Sequence, residues 1–330
     1  MNPIGAPGIT FSTLDWRGAR LSRAFLRTHL PRPQVNVDAA LAIVQPIVDA
    51  VRERGSEAVL EFSEQFDGLR PSALKVPEVE LAKALDSLEP AVREALETAI
   101  DRVRTVCEAS LPSDSRVEVC EGGIVGERCI PVDRVGVYVP GGRAVLPSSV
   151  VMNVVPAQVA GVGDIAVVSP PQREDDGRPH PTILAACSLL GVTEVYAAGG
   201  AQAIALLAFG DDAGEDPIDP VDLITGPGNV YVAAAKRAVK GVVGIDSEAG
   251  PTEIAIIADD AADARFVAAD LISQAEHDPM AASVLITDSE ELIARVQREL
   301  ERQVPETEHS SRIAEALAGG PGGGGGGGGL

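Results

Sequence analysis

The sequence predicts an α/β fold: a parallel sheet with helices packed on both faces. Two observations carry the prediction. From Val135 onward, short and nearly continuous apolar runs alternate with helix-length segments, the pattern of strands buried on both faces and joined by helical crossovers. The same stretch carries a series of glycine-rich junctions between run and helix, where tight turns need residues free of a Cβ. With 330 residues, 45% of them hydrophobic, the chain can bury a sizeable core and divide into about two domains.

Residues 1–36 show little periodicity and are read as an extended N-terminal arm. From Asp38, a capping residue, Leu41, Val44, Val48 and Val51 fall on one helical face and Gly55 can close the helix. Pro46 lies inside that pattern and is expected to kink or divide it. A second helix runs from Pro90 to about Glu108, with Val92, Leu96, Ala99, Val103 and Val106 at helical spacing. Val117–Cys120 and Ile124–Ile130 flank Gly122 and Gly123 as a β-hairpin. The strands that follow are Val135–Val139, Ile165–Ser169, Glu194–Ala197 and Asp222–Thr225, with helices starting near Ser148, Pro181, Ala201 and Asn229. A last alternation gives strand Glu253–Ala258, helix Asp263–Glu276, strand Ser283–Thr287 and helix Ser289–Arg302.

This order implies two α/β units, one inserted between the halves of the other. The first domain is then discontinuous, residues 37–135 plus 254–318, and the second comprises residues 136–253. Residues 319–330 are nearly all glycine, with no side chains to bury, and are expected to be disordered. Because this run follows a helix in mid-alternation, it reads as truncation or a shifted reading frame in preference to a natural flexible tail.

Composition excludes several classes. A formal charge of −22, scattered Lys and Arg, and 3% aromatic residues argue against nucleic-acid binding. No apolar run reaches the ~20 residues that span a bilayer, and the N-terminus lacks the basic-then-apolar order of a signal peptide. Cys107, Cys120, Cys129 and Cys187 lie far apart and read as buried thiols in a reducing, cytoplasmic compartment.

Several motifs can carry chemistry. In Ser273-Gln274-Ala275-Glu276-His277-Asp278, Gln274 and His277 stand at i and i+3 on one helical face. An amide oxygen and an imidazole placed so can share a metal; the alternative is a helix-end histidine bonded to a terminal carbonyl. Gly250-Pro251-Thr252-Glu253 makes a tight turn that can present the Thr252 hydroxyl at a sheet edge. Thr225-Gly226-Pro227-Gly228-Asn229 is a strand-to-helix turn whose N–H groups suit a pyrophosphate or carboxylate. It lacks the Gly-x-Gly-x-x-Gly pattern, and an ordinary turn capped by Asn229 is the alternative. Gly136 to Arg143 runs a strand into a glycine pair, with Tyr138 supplying either a flat ligand-facing surface or core packing. Gly199-Gly200-Ala201-Gln202-Ala203 places Gln202 on the first turn of a helix. Such junctions gather at one edge of an open α/β sheet, where ligands bind.

Taken in order, these motifs resemble the histidinol dehydrogenase family, over about Val37 to Arg302. The resemblance implies two incomplete Rossmann-like α/β/α domains in an aldehyde-dehydrogenase-like arrangement, assembled as a homodimer, with residues 136–253 binding NAD. It implies oxidation of L-histidinol to L-histidine through L-histidinaldehyde, with NAD⁺ used twice in succession and Zn²⁺ bound in each subunit. Carried over position by position, Tyr138, Gln202 and Asn229 match NAD contacts. Thr252, Gln274 and His277 match substrate contacts, and Gln274 and His277 also match zinc ligands. Zinc bound there fixes the alcohol carbon near the nicotinamide. The family's Glu-His acid–base pair, its remaining Asp and His zinc ligands and its C-terminal domain match nothing here. No catalytic residue is therefore assigned, Glu308-His309 included, and the chain is expected to be weakly active or inactive. Two other readings stay open: a non-catalytic NAD-binding remnant, and aldehyde oxidation through a cysteine nucleophile. Against the latter, Cys129 and Cys187 are both expected to be buried.

Overall fold

The computed structural model describes residues 13–29, 37–141, 145–213, 216–248, 252–277 and 279–318. They fall into two compact units, one of residues 37–249 and one of residues 250–330 together with 1–36. The described chain opens on helix α1 (Arg23–His29), inside the stretch expected to be extended.

The larger unit begins with α2 (Val37–Arg54), which buries Val44, Val48 and Val51 on the predicted face. Pro46 neither ends nor divides this helix. Pro46 and Ala42 both face solvent, so the Ala42 carbonyl that the proline leaves without a donor lies on the solvent side of the helix. Two short helices that no long periodicity announced follow, α3 (Ser56–Asp67) and α4 (Glu78–Asp86). Helix α5 (Pro90–Ser110) carries its proline at the first turn, as its sequence requires. Strands β1 (Ser115–Cys120) and β2 (Gly123–Glu127) form the predicted antiparallel hairpin, turning at Gly122 with φ 72°.

The predicted alternation then appears: β3 (Arg134–Tyr138), α6 (Pro147–Ala160), β4 (Asp164–Ser169), α7 (Pro181–Leu189), β5 (Glu194–Ala197), α8 (Gly200–Phe209), β6 (Leu223–Thr225) and α9 (Val230–Val239). A further strand, β7 (Gly244–Ile245), is too short to show a period. The strands make one parallel sheet in the order β5-β4-β3-β6-β7. Alternate residues serve opposite cores. Tyr138, Ala166, Val168, Tyr196 and Ile224 pack with α2, α8 and α9. Val135, Val137, Val139, Val167 and Val195 pack with α4, α5, α6 and α7. Residues 74–76 cover the outer edge of β5, through Ala197 N–H to Leu74 O (2.7 Å) and Val76 N–H to Val195 O (2.8 Å).

The compact units divide the chain differently from the expected domains. Residues 37–135 join residues 136–249 in one unit instead of pairing with residues 254–318. The reason is burial: the apolar stripe of α2 needs α8 and α9, and α5 needs α6, to leave water.

The smaller unit contains β8 (Glu253–Ile257), α10 (Ala264–Ala275), β9 (Ala282–Ile286), α11 (Glu290–Gln303) and α12 (Ser310–Leu317). Asp263 caps α10 and Ser289 caps α11 through side-chain bonds to backbone N–H groups. Leu271, Leu285, Leu292, Val296, Leu300 and Ile313 form its core beside the parallel pair β8–β9. Among the described residues, no helix is long and apolar enough to cross a membrane.

Leu206 of α8 is fully buried between the sheet and its covering helices. Leu206→Ala is expected to lower unfolding free energy by about 2–5 kcal/mol in denaturant titration; a loss below about 1 kcal/mol would contradict this packing.

Candidate functional site

Strand order locates the first candidate site. From β3 the chain winds outward through β4 to β5, then returns to place β6 and β7 on the other side of β3. The connections leaving β3 and β6 therefore diverge, and a crevice opens at the carboxyl end of these two strands. Tyr138 ends β3, and the turn Gly226–Asn229 leaves β6.

Tyr138 ties the neighbouring turns together. Its hydroxyl accepts the Gly200 N–H at 3.2 Å, at the start of α8. Gly226 sits against its backbone: with φ 116°, an added Cβ would overlap the Tyr138 carbonyl oxygen. Glycine is required there for both conformation and space. The Tyr138 ring is 4% exposed within the core, and burial pushes its phenol up to about 12. Core packing thus describes the ring, and only its hydroxyl works at the turn.

Asn229 caps α9, its Oδ1 accepting the Tyr231 and Val232 N–H groups at 3.0 and 3.1 Å. The residue remains exposed. Gln202, on the first turn of α8, is 2% exposed and folds back so that a Cβ on Gly200 would meet its Oε1 at 2.8 Å. The structure thus gathers the turns that carry Tyr138, Gln202 and Asn229 around the end of β3. Gly142 and Arg143 lie outside the described residues.

A carboxyl that sequence reasoning missed lies nearby. Asp67 ends α3, and one of its oxygens is buried without a hydrogen-bond partner. Burial pushes this carboxyl up from 3.8 to about 6, and its charge also acts on Tyr138. Lys236 and Asp246 were missed as well. Lys236 Nζ donates to Gly226 O at 2.5 Å and to Asp246 Oδ1 at 2.6 Å, while Gly226 N–H donates to Asp246 Oδ2 at 2.9 Å. No spacing rule announces such contacts; a glycine-rich turn flanked by Lys and Asp is their only sequence signal.

In the smaller unit, Thr252 and Gln274 meet. Gln274 Nε2 donates to Thr252 Oγ1 at 2.5 Å and to Thr252 O at 3.1 Å, which turns the Gln274 amide nitrogen towards the threonine. His277 lies just past the end of α10 at Ala275, three residues on from Gln274. It occupies the following turn, exposed, with its N–H on Gln274 O at 3.1 Å. Gly250, Pro251 and Asp278 lie outside the described residues. Among the described residues, no group of three or more His, Cys, Asp and Glu could hold a metal. Gln274 and His277 supply two donors, short of the three protein ligands that a catalytic zinc site keeps, so the residues described do not make a zinc site by themselves.

Cysteine chemistry finds no support at Cys187, which is buried and whose thiol is pushed up to about 12 by that burial. The expectation of buried thiols fails elsewhere: Cys120 and Cys129 are exposed and Cys107 is half-buried. Cys129 follows β2 in a surface segment held by its N–H on Asp114 Oδ1 at 2.9 Å, not in a buried strand. Glu308 is exposed, and His309 immediately precedes α12.

Comparison with known proteins fixes the family. The histidinol dehydrogenase family model matches residues 30–322. The chain belongs to the histidinol dehydrogenase family. It is 59% identical over 305 residues to histidinol dehydrogenase from Corynebacterium efficiens, covering 92% of this chain and 67% of that protein. To the Nocardia farcinica enzyme it is 59% identical over 312 residues, covering 94% and 70%. The crystal structure of histidinol dehydrogenase from Elizabethkingia anophelis superposes with a TM-score of 0.85 at 29% identity, over 97% of this chain and 70% of that one. The chain thus spans about two thirds of the length of these histidinol dehydrogenases. The activity of the family is NAD-dependent oxidation of histidinol to histidine.

The raised Asp67 carboxyl has a measurable consequence. Its folded value exceeds its unfolded one, so the stability it contributes is present below pH 3.8 and is lost as pH rises through about 6. Asp67→Asn removes that loss. The unfolding midpoint of the variant relative to the parent should rise between about pH 4 and about pH 7; a constant offset across this window would refute the assignment.

Proposed function

We propose that this chain binds NAD⁺ in the crevice between β3 and β6 and serves the oxidation of L-histidinol to L-histidine through L-histidinaldehyde. The observation that carries the reading is the Gly226–Asn229 turn, pressed onto the Tyr138 carbonyl at the switch point of a histidinol dehydrogenase chain. The fit to a dinucleotide is physical. The turn opens the N-terminus of α9, which favours negative charge.

Asn229 offers its exposed amide to the cofactor, Tyr138 fixes the turn on which Gln202 sits, and Gln202 lines the start of α8. NAD⁺, when bound, accepts the hydride. Thr252, Gln274 and His277 are proposed as substrate contacts in the smaller unit, where the Thr252–Gln274 hydrogen bonds supply a ready polar pair. Gln274 and His277 are also proposed as zinc donors, to be completed by ligands beyond the described set. The homodimer is likewise proposed, supported by the exposed apolar face of the β1–β2 hairpin at Val117, Val119 and Val125. Four free thiols suit a reducing, cytoplasmic setting.

With no acid–base pair assigned, NAD⁺ binding is expected to outlast turnover. Calorimetric titration with NAD⁺ should show saturable binding that Asn229→Ala weakens about 10-fold, or about 1.4 kcal/mol, the scale of a single good hydrogen bond. Unchanged affinity in that variant would remove NAD⁺ from this turn. NADH production from L-histidinol by residues 1–330 with added Zn²⁺ or Mn²⁺ should fall far below that of a full-length histidinol dehydrogenase; equal turnover would overturn the expectation of weak activity.

A further inference from the structure

Lys236 is the one charged residue that is fully buried among the described residues, at 1% exposure. Taking an ammonium out of water costs several kcal/mol unless its geometry is well satisfied. Here it is satisfied by a closed set of contacts about one glycine. Lys236 Nζ holds the Gly226 carbonyl at 2.5 Å and Asp246 Oδ1 at 2.6 Å. Asp246 Oδ2 takes the Gly226 N–H at 2.9 Å. Asp246 is itself fixed by its own N–H on Ile224 O at 3.1 Å, and its Oδ1 also takes the Ser247 N–H at 2.6 Å.

Both peptides flanking the Gly226 Cα are therefore pinned, one by its N–H and the other by its carbonyl. Pro227 follows with a fixed φ and no N–H. The turn has little freedom left before Asn229 begins α9. Fold energy does not call for a buried ammonium here, because an apolar side chain of similar volume commonly does as well or better in a protein interior. What an apolar side chain cannot do is hold the Gly226 carbonyl in one direction.

We propose that Lys236 and Asp246 are positioning residues that hold the Gly226–Asn229 turn in the shape that accepts the dinucleotide. This rests on the reading that NAD⁺ binds at that turn. Lys236 touches the backbone of the turn from inside the fold, and Asp246 closes the contact from the surface.

The test compares parent, Lys236→Met, the charge-neutral double variant Lys236→Met/Asp246→Asn, and Asn229→Ala. Each is measured by thermal unfolding, by calorimetric titration with NAD⁺, and by an isotope-labelled glycine amide spectrum. If the single variant fails to fold because Asp246 is left uncompensated, the double variant decides. The double variant should unfold within a few degrees of the parent, bind NAD⁺ at least about 10-fold more weakly, and shift the amide signals of Gly226 and Gly228 while leaving those of Gly136 and Gly191 in place. A double variant that is destabilised, or that is stable and binds NAD⁺ within about twofold of the parent, overturns the positioning role and leaves the pair a packing feature. Asn229→Ala separates the two failures: if it too binds as the parent does, the cofactor is not on this turn and the underlying reading falls with the inference.

Discussion

A parallel sheet must be covered on both faces, and the larger unit is organised by that requirement. Parallel strands cannot be joined by hairpins, so each connection crosses over the sheet and deposits a helix on one face. Helices α6 and α7 land on one side and α8 and α9 on the other. The earlier helices α2, α4 and α5 complete the two layers. Every strand-to-helix turn consequently leaves from the same edge, which is why Gly141, Gly199, Gly200, Gly226 and Gly228, far apart in the chain, lie at the carboxyl end of the sheet.

At that edge, packing and binding make the same demand. Gly226 approaches the Tyr138 carbonyl too closely for any side chain, and Tyr138 in turn anchors the start of α8. The phenol is thus part of the scaffold that sets the turns, and exposed Asn229 caps α9 where the turn ends. The ion pair between buried Lys236 and exposed Asp246 continues the same scaffold at the turn. Polar groups are placed inside an apolar core here because they fix the direction of backbone carbonyls and N–H groups, a task that dispersion forces perform poorly.

The smaller unit shows the opposite condition. Its two parallel strands pack α10 on one side, while Ile257 and Ile286 remain 82% and 47% exposed. Its polar pair, Thr252 and Gln274, is formed by side chains that are partly or wholly open to water. The motif Gln274-to-His277 was legible as a unit, but its geometry was not. Helix propensity does not mark where α10 stops: it ends at Ala275, and His277 falls in the turn that follows.

The sequence by itself determined the alternation of strand and helix, the glycine turns and the family to which the chain belongs, because all of these are written in local spacing. Val135 to Thr225 could be divided into elements without coordinates, since each apolar run is bounded by its own punctuation. Only the tertiary structure decided how the elements group, that α2 to α5 cover the five-stranded sheet and that Cys129 is exposed. It alone decided that Asp67 and Lys236 lie near the crevice. Those outcomes depend on which apolar surfaces find each other across long stretches of chain, and burial of that kind has no period to read.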